Sequence, residues 1–309
     1  WNNLVFIDGH YSEDLSAASI GLNSDGVRLL SLAKAMVAER DLVEEHLARH
    51  AEFEAESFVS LNTAFMCDGA FIYVPRGIDD HPTINLVFVS TNSTEPTVSH
   101  PRVLVVADRD SKLTVIESYV GQRQASYFTN AVTEIVVGEG ADVDHYKLSA
   151  ESTQAYHVGT TNVYQDRDSS FSSSSFDMRG SALARNNVSV LLDGPGGFCR
   201  LNGLYLTADR QHVDNSINVD HAKPNTTSRL YYKGILDGKS RAVFGGTVLV
   251  RKDAQKVDAQ QSDKNLILSN EAEADSKPSL LIFADDVKCG HGATAGQIDE
   301  DTLFYMRSR

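Results

Sequence analysis

Cysteine is scarce in this sequence of 309 residues, which contains only Cys67, Cys199 and Cys289. Because these three residues are odd in number and far apart, they do not form a disulfide framework, and they fit a reducing cytosol. Long apolar runs are missing as well, since none approaches the ~20 residues that a membrane-spanning helix requires. The sequence therefore predicts a cytoplasmic protein without a transmembrane helix.

Basic residues are too few for an anionic partner. The chain has 28 Lys and Arg against 42 Asp and Glu, which gives a formal net charge of −14. Proteins that bind nucleic acid need a basic surface to contact phosphates. Attraction to an anionic membrane surface depends on basic clusters in the same way. We therefore expect neither a nucleic-acid partner nor a membrane partner.

Motifs of common catalytic sites are also missing from the sequence. No P-loop motif is present, so an ATP-driven role would require a separate ATPase. No G-x-S-x-G motif is present either, which leaves acyl-hydrolase chemistry without a nucleophile. Adjacent carboxylates on a strand point to opposite faces, so we interpret Asp79-Asp80 and Asp285-Asp286 as turn residues. We interpret several scattered residues as structural: His145, His157, His212, His221, Cys67 and Cys199.

Residues 24 to 68 have a helical pattern. Ser24 or Asp25 is a candidate cap for a first helix, and Asp41 with Glu44 resembles a capping box for a second. The predicted first helix carries Leu29, Leu30, Ala33, Met36 and Val37. Fourfold spacing predicts an amphipathic third helix with a stripe of Phe53, Ser57, Leu61 and Phe65. We interpret this region as core packing with solvated charged faces.

Strand signals take over from about residue 70 to residue 296, where no convincing helix is present. Short β-rich runs alternate with turn-forming residues such as those at 138–140, 193–197 and 236–238. Such a pattern is compatible with a sandwich, a barrel or a solenoid. A regular solenoid would show a fixed repeat period, and this sequence shows none. The serine-rich stretch 169–176 is interpreted as a polar strand rather than a linker. The predicted strands are 71–74, 83–90, 103–107, 113–119, 130–137, 143–148, 157–164, 188–192, 243–250 and 279–284.

The most informative stretch lies near the end of the chain, where Cys289 and His291 are two positions apart. On a strand, both side chains would point to the same face. A thiolate and an imidazole together suit zinc, copper or an iron–sulfur centre. Two donors are too few for a closed structural site, so further ligands would have to come from elsewhere, including another chain. The alternative is that residues 288–294 form a tight turn that needs glycine.

The sequence around this pair closely resembles the C-terminal signature of SufD-type subunits of the iron–sulfur cluster assembly scaffold. The resemblance is carried by residues 288–309, KCGHGATAGQIDEDTLFYMRSR, and the SufB-type subunit looks different in this segment. One departure is Gly290, where the family more often has serine. The resemblance continues upstream in VRKDAQKVDAQQ (250–261), LYYKGILDG (230–238), IESYVG (116–121) and LNTAFMCDGAFIYVPR (61–76).

This resemblance implies a mainly β fold, a right-handed parallel β-helix core with helical segments at the N- and C-terminal ends. We expect an N-terminal helical region at 1–78, the β-helix core at 79–296, and the start of a truncated C-terminal helical segment at 297–309. The third segment begins with Asp299 as a candidate N-cap. Because the chain begins at Trp1 without a signal-like segment and stops at Arg309 inside a helical pattern, we interpret it as a fragment.

The resemblance further implies a non-catalytic scaffold subunit of the SUF complex. It would pair with a SufB-like paralogue, and Cys289 and His291 would be ligands of a transient iron–sulfur cluster at the subunit interface. No cluster would be bound tightly by this chain alone. A SufC-like ATPase would dock on the missing C-terminal segment, and a homodimer is possible in isolation. The alternative is a secreted β-helical polysaccharide lyase, for which the sequence lacks a signal peptide.

Overall fold

The computed structural model describes residues 2–17, 26–51, 56–91, 95–178 and 180–309, most of which lie in strands. None of the four helices in these ranges has the length and apolar character needed to span a bilayer. The helices are α1 (Leu32–Ala38), α2 (Arg40–His46), α3 (Ser57–Phe65) and α4 (Glu300–Ser308). The strands are β1 (Asn2–Ile7), β2 (His10–Ala17), β3 (Arg28–Ser31), β4 (Gly69–Val74), β5 (Thr83–Ser90), β6 (Thr97–Ser99), β7 (Arg102–Ala107), β8 (Lys112–Gly121), β9 (Tyr127–Val137), β10 (Asp142–Ala150), β11 (Tyr156–Gln165), β12 (Ser170–Met178), β13 (Leu183–Leu192), β14 (Phe198–Thr207), β15 (His212–His221), β16 (Thr227–Leu236), β17 (Arg241–Val250), β18 (Asp258–Ile267), β19 (Glu273–Ile282) and β20 (Lys288–Gln297).

The strands form two long sheets, and from β7 onward consecutive strands alternate between them. Sheet A has the order β2-β1-β5-β8-β10-β12-β14-β16-β18-β20. Sheet B has the order β19-β17-β15-β13-β11-β9-β7-β4-β3, and β6 also pairs with β9. The pairs between successive coils are parallel, as in β10–β12 and β11–β13. The predicted β-helix core is therefore confirmed, and the sandwich and barrel alternatives are wrong.

The coils of this helix differ in length, which explains why the sequence shows no fixed period. Register pairs in neighbouring coils are 27 residues apart at His157–Ala184 and 32 residues apart at Ala242–Ala274. Strand pairing requires only that inward and outward side chains alternate together, so the connections can change length without disturbing the stack. The serine-rich stretch confirms this alternation, because it forms β12 with Phe171 fully buried inside the solenoid.

One corner of each coil is held by a residue with left-handed backbone geometry. Asp110, Gly140 and Asp168 have φ angles of 56°, 67° and 51°. Their N–H groups donate to backbone carbonyls of the next coil over distances of 2.8 to 2.9 Å. Asp and Asn tolerate this conformation better than most side chains, and glycine adopts it without a steric cost. The same corner position is occupied in later coils by Gly196, Asn225 and Lys256.

The N-terminal region contains more strand than its helical pattern predicts. β1 and β2 form an antiparallel pair at the start of sheet A, and β3 pairs antiparallel with β4 in sheet B. The predicted cap residues Ser24 and Asp25 lie outside the described residues. A helix at Leu29 and Leu30 is wrong, because both belong to β3 and α1 begins at Leu32 with Ser31 as its N-cap. The proposed domain limits stay predictions.

The second and third predicted helices exist, but with different ends and faces. Asp41 lies in the first turn of α2 rather than at its cap, so the capping box is wrong. α3 buries Val59 and Asn62, whereas Leu61 and Phe65 of the predicted stripe are exposed. Phe53 lies outside the described residues. The fourfold spacing therefore predicted a helix correctly, but it predicted the wrong buried face.

A buried carboxylate fixes the helical segment onto the outer face of sheet B. Glu134 on β9 accepts hydrogen bonds from the backbone N–H groups of Ala48, His50 and Ala51 at 2.9 to 3.1 Å. It also forms an ion pair of 2.5 Å with Arg102, and both side chains are fully buried. Such a pair is strongly destabilised when one partner is removed, because the other charge stays buried. The segment that follows α2 is therefore held at the N-terminal half of the solenoid.

Candidate functional site

Cys289 and His291 lie on β20, the last strand of sheet A. β20 pairs in parallel with β18, where Cys289 stands beside Ala259 and His291 beside Gln261. Ala259 and Gln261 are both buried side chains that point into the solenoid. The two candidate ligands therefore project to one face of β20, towards the interior of the last coil. This same-face arrangement was predicted from their spacing and is confirmed.

The thiol of Cys289 is half-buried, whereas the imidazole of His291 is exposed. Cys289 packs against a small apolar cluster that includes Val257, Ala259 and Ala284. Burial raises the pKa of the Cys289 thiol, a backbone hydrogen bond with Ala259 opposes this, and the charge of Asp258 adds to it. A metal bound by this sulfur therefore displaces a proton from it.

Glycine does not serve a turn at this site. β20 runs from Lys288 to Gln297, and Gly290 and Gly292 lie outside the left-handed region of backbone geometry. The alternative of a tight turn that needs glycine is therefore wrong. A Cβ atom at Gly290 would meet only the end of the long Gln260 side chain, with the amide oxygen nearest at 2.9 Å.

The strand that carries the pair is also an open edge. Sheet A ends at β20 and sheet B ends at β19, with no further strand beside either in the described part of the chain. Large apolar side chains are exposed at this end of the solenoid, including Leu281, Phe283 and Ile298. An edge of this kind presents unpaired backbone N–H and C=O groups to a second chain. The candidate ligands thus stand where another subunit can reach them.

Two donors do not complete a metal site by themselves. Among the residues that the structure describes, no group of three or more His, Cys, Asp or Glu side chains is placed to hold a metal ion. A closed structural zinc site normally has four ligands, and iron–sulfur clusters are commonly held by four. Cys289 and His291 therefore offer part of a ligand set, and their role as ligands stays a prediction.

The other cysteines are placed differently from one another. Cys199 is fully buried on β14, and burial raises the pKa of its thiol far above the usual range, so its structural role is confirmed. Cys67 is exposed after α3, so burial does not support the interpretation of this residue as structural, which stays a prediction. His221 is buried between the hydroxyls of Thr226 and Ser228, at 2.8 and 2.9 Å.

Inside the solenoid, sequence reasoning missed a polar cluster, which consists of Glu117, His145, Lys147, Glu151 and His157. The imidazole of His145 lies 3.2 Å from the carboxylate of Glu117, and that of His157 lies 3.0 Å from Glu151. All five side chains are buried. The two histidines are therefore engaged by carboxylates, as expected for structural strand residues rather than ligands.

The charges of this polar cluster stabilise each other. Burial acts to raise the pKa of Glu117, but hydrogen bonding and charge from His145, with hydrogen bonds from Tyr119 and Thr133, outweigh it and lower the pKa to about 2. Burial lowers the pKa of Lys147, although nearby carboxylates oppose this. The signal in the sequence was that charged residues alternate with outward-facing residues in the predicted strands. The sequence does not give the register between coils, so this signal could not show that the charged residues lie close together.

Comparison with known proteins gives matches along nearly the whole chain. A family model described as "SUF system FeS cluster assembly, SufBD core domain" matches residues 88–309. A second model, "SufBD protein N-terminal region", matches residues 2–86. Both models thus meet close to the start of the parallel coils.

Individual relatives agree with these models. The chain is 33% identical to an iron–sulfur cluster assembly SufBD family protein of Synechocystis, over 100% of this chain and 69% of that protein. It is 32% identical to the iron–sulfur cluster assembly protein SufD of Escherichia coli, over 99% of this chain and 69% of that protein. The SufD protein of Bacillus subtilis is 26% identical over 93% of this chain and 66% of its own length.

Proposed function

The chain belongs to the SufBD family of iron–sulfur cluster assembly proteins, and from this premise we propose that it is a SufD-type, non-catalytic scaffold subunit. It pairs with a SufB-like paralogue, and the two chains supply ligands to a nascent cluster at their interface. The observation that supports this proposal most directly is the position of Cys289 and His291 on an edge strand that no other described strand covers.

The chemistry of the two side chains suits a cluster that is cargo rather than a resident cofactor. Iron–sulfur clusters are held by thiolates, and an imidazole can replace a thiolate on iron. A scaffold must release what it builds, and a ligand set divided between two chains opens when their interface shifts. This chain alone, with two donors, holds no cluster tightly. Cys289 supplies the sulfur and His291 supplies the exposed nitrogen.

The partner subunit covers the open end of the solenoid. β20 offers its free backbone edge for pairing, and exposed Leu281, Phe283 and Ile298 supply apolar area next to it. In the absence of the paralogue, a second copy of this chain pairs through the same edge as a homodimer. The interface then places Cys289 and His291 at the boundary between two chains.

A SufC-like ATPase is the second proposed partner, because the chain has no P-loop motif of its own. We propose that this ATPase docks on helices beyond Arg309. Isothermal titration of the ATPase into residues 1–309 should then give a dissociation constant weaker than about 1 μM, or about −8 kcal/mol. Tighter binding would place the docking surface within these residues and would contradict the proposed division of labour.

Anaerobic reconstitution tests the ligand role of His291. The complex with the SufB-like partner is supplied with iron and sulfide, and the visible absorption of cluster–thiolate charge transfer is followed. His291→Ala should reduce cluster formation about tenfold or more, because loss of a metal ligand or its support typically has this effect. The variant should keep the unfolding temperature of the parent, since the side chain is exposed.

Thr294→Ala is the matched control, because Thr294 lies on the same exposed strand but on its opposite face. It should assemble clusters at the parental rate. A parental rate for His291→Ala would show that this residue is not a ligand. Cleavage of a polyuronate by the purified chain would support the lyase alternative, which nothing in the described site favours.

A further inference from the structure

The outer face of sheet A carries four basic side chains in adjacent strands, which we call the basic patch. In the parallel register, Arg200 on β14 stands beside Arg229 on β16. Lys233 on β16 stands beside Lys264 on β18. Arg200, Lys233 and Lys264 are exposed, and Arg229 is half-buried. Two like-charged pairs therefore lie on one surface, separated along β16 by the stretch that contains Tyr231.

Most of these charges have no carboxylate partner. Arg229 forms an ion pair of 2.8 Å with Asp258. Within the described part of the chain, Arg200, Lys233 and Lys264 form no ion pair. The guanidinium of Arg200 and the ammonium of Lys233 instead lie 5.2 Å from the aromatic rings of their strand neighbours, Phe198 and Tyr231. Two of the four charges thus pack on aromatic rings, and the charge of Arg200 also acts on Asp144, which forms no ion pair with it.

Folding does not explain the basic patch. Like charges directly opposite each other on neighbouring strands destabilise a sheet. The chain has 42 acidic residues against 28 basic ones, yet each of the four basic residues has another basic residue as one of its two cross-strand neighbours. Such an arrangement lowers stability in exchange for a concentrated positive field, which favours a function in binding.

An apolar row runs directly into the basic patch on the same face. Leu148, Phe176 and Leu204 are in register on β10, β12 and β14, and the row continues into Lys233 and Lys264. Leu148 is exposed, and Phe176 and Leu204 are half-buried. Phenylalanine and arginine are enriched in protein interfaces, and Arg200 lies on the same strand as Leu204. The face therefore combines an apolar half with a basic half.

We propose that this face docks an acidic, amphipathic segment of a partner protein, with its carboxylates on the basic patch and its apolar side chains on the row that ends at Leu204. The outer face of a sheet is broad rather than concave, so it suits a macromolecule and would bury little of a small ligand. The net charge of −14 repels nucleic acid over the rest of the surface, whereas an acidic protein segment needs only a local match. This proposal is independent of the cluster ligands.

The proposed docking face is close to the candidate site without belonging to it. Lys264 lies on β18, and β18 pairs with β20, the strand that carries Cys289 and His291. Neighbouring strands are about 4.8 Å apart, so a docked segment would lie within one strand of the candidate ligands. The ligands point inward, whereas the basic patch points outward. A partner on this face can therefore approach the open end without occupying it.

Fluorescence anisotropy with the purified chain tests the proposal. The probe is a labelled peptide of glutamate, leucine and alanine, with leucine at helical spacing, and the reference probe has lysine in place of glutamate. The double variant Arg200→Glu/Lys233→Glu should weaken binding of the acidic peptide at least about tenfold. Binding should also fall with added salt. A milder variant, Lys233→Gln/Lys264→Gln, gives the same readout if the first does not fold.

Lys252→Glu/Lys277→Glu is the matched control, since it changes the net charge equally and Lys277 lies on the outer face of sheet B. It should change the affinity less than about twofold, the scale of an exposed surface charge. Equal loss in the control variant would overturn the proposal by showing an effect of net charge alone. Tighter binding of oligothymidylate than of the acidic peptide would also overturn it and assign the basic patch to nucleic acid.

Discussion

The two ends of the solenoid are built in different ways. At the N-terminal end, antiparallel strands stop both sheets, because β1 turns back into β2 and β3 pairs antiparallel with β4. The interior of this end is filled by Leu4 and Phe6, which are each 1% exposed. At the C-terminal end, no further strand follows β19 in sheet B or β20 in sheet A in the part of the chain that the structure describes, and the inward positions of β20 carry small or polar side chains that remain accessible. The two sheets therefore end in antiparallel strands at the N-terminal end, whereas they end in parallel strands at the C-terminal end of the described chain.

The edge strands differ in the same direction. β2 carries charged side chains, Glu13 and Asp14, which discourage pairing with another chain. β20 has one charged residue at its start, Lys288, and then continues with glycine, alanine, threonine and the two candidate ligands. The N-terminal edge is thus protected against association, and the C-terminal edge is not. This contrast supports the proposed position of the subunit interface.

The two ends should differ most in the free energy of unfolding that is lost when a large apolar side chain is truncated at each of them. Phe6 stacks on Phe88 with ring centroids 5.0 Å apart, so Phe6→Ala should lower the free energy of unfolding by about 3 to 5 kcal/mol. Phe283, at the open end, is 64% exposed, and Phe283→Ala should change this free energy by less than about 0.5 kcal/mol. Urea unfolding measures both. Similar losses in the two variants would contradict the distinction between the ends.

Lowering the pH should change the contributions of Glu117 and Asp263 to the free energy of unfolding in opposite directions. The folded-state pKa of Glu117 is lowered to about 2 from 4.5, so its stabilising contribution is present above pH 4.5 and is lost as the pH falls towards 2. This contribution is about 3 kcal/mol from the size of the shift. Burial raises the pKa of Asp263 near the open end, so its contribution is present at low pH and lost as the pH rises through the folded-state pKa.

The free energy of unfolding as a function of pH tests this difference. Glu117→Gln should reduce the decrease in the free energy of unfolding between pH 4.5 and 2, and it should lower this free energy at pH 7. Asp263→Asn should not lower stability at pH 7 to the same extent, because burying the ionised carboxylate is costly. Asp253→Asn, at an exposed turn position, is the control and should leave the profile unchanged. A parental profile for Glu117→Gln would show that His145 does not hold this carboxylate ionised.

The smallest effect is expected at Gly290. Gly290→Ser adds a side chain that meets only the end of Gln260, so the free energy of unfolding should change by less than about 0.5 kcal/mol. Cluster assembly in the complex should continue, because serine would point to the opposite face from Cys289 and His291. A loss of assembly with unchanged stability would instead show that the outer face of β20 also contacts the partner.

Much of the β-helix could be predicted from local alternation. The predicted strand 83–90 coincides with β5, and the serine-rich stretch was correctly interpreted as strand. Strands such as β15 and β18 were missed because polar residues occupy several inward positions, which hides the apolar alternation. β3 was missed for another reason, since Leu29 and Leu30 also fit a helical stripe. Only pairing with β4 decides between the two conformations.

The same-face placement of the candidate pair was predictable, whereas its surroundings were not. The spacing of Cys289 and His291 fixes their common face on any strand. The open edge beside them depends on which strands stack, and this is a property of the whole chain. The basic patch could not be found for the same reason, because Arg200 and Arg229 are 29 residues apart in sequence and become neighbours only through the register.

The left-handed corners also allow the length of the solenoid to change by whole coils. Each corner joins one coil to the next through a single backbone hydrogen bond, as from Asp168 to Pro195, and no corner depends on how many coils follow. Insertion or loss of one complete coil would therefore move the Cys289–His291 edge along the axis by about 4.8 Å while keeping the same face inward. The distance between the N-terminal end and the strand that carries Cys289 and His291 can thus change by whole coils, and the same side chains would still be presented.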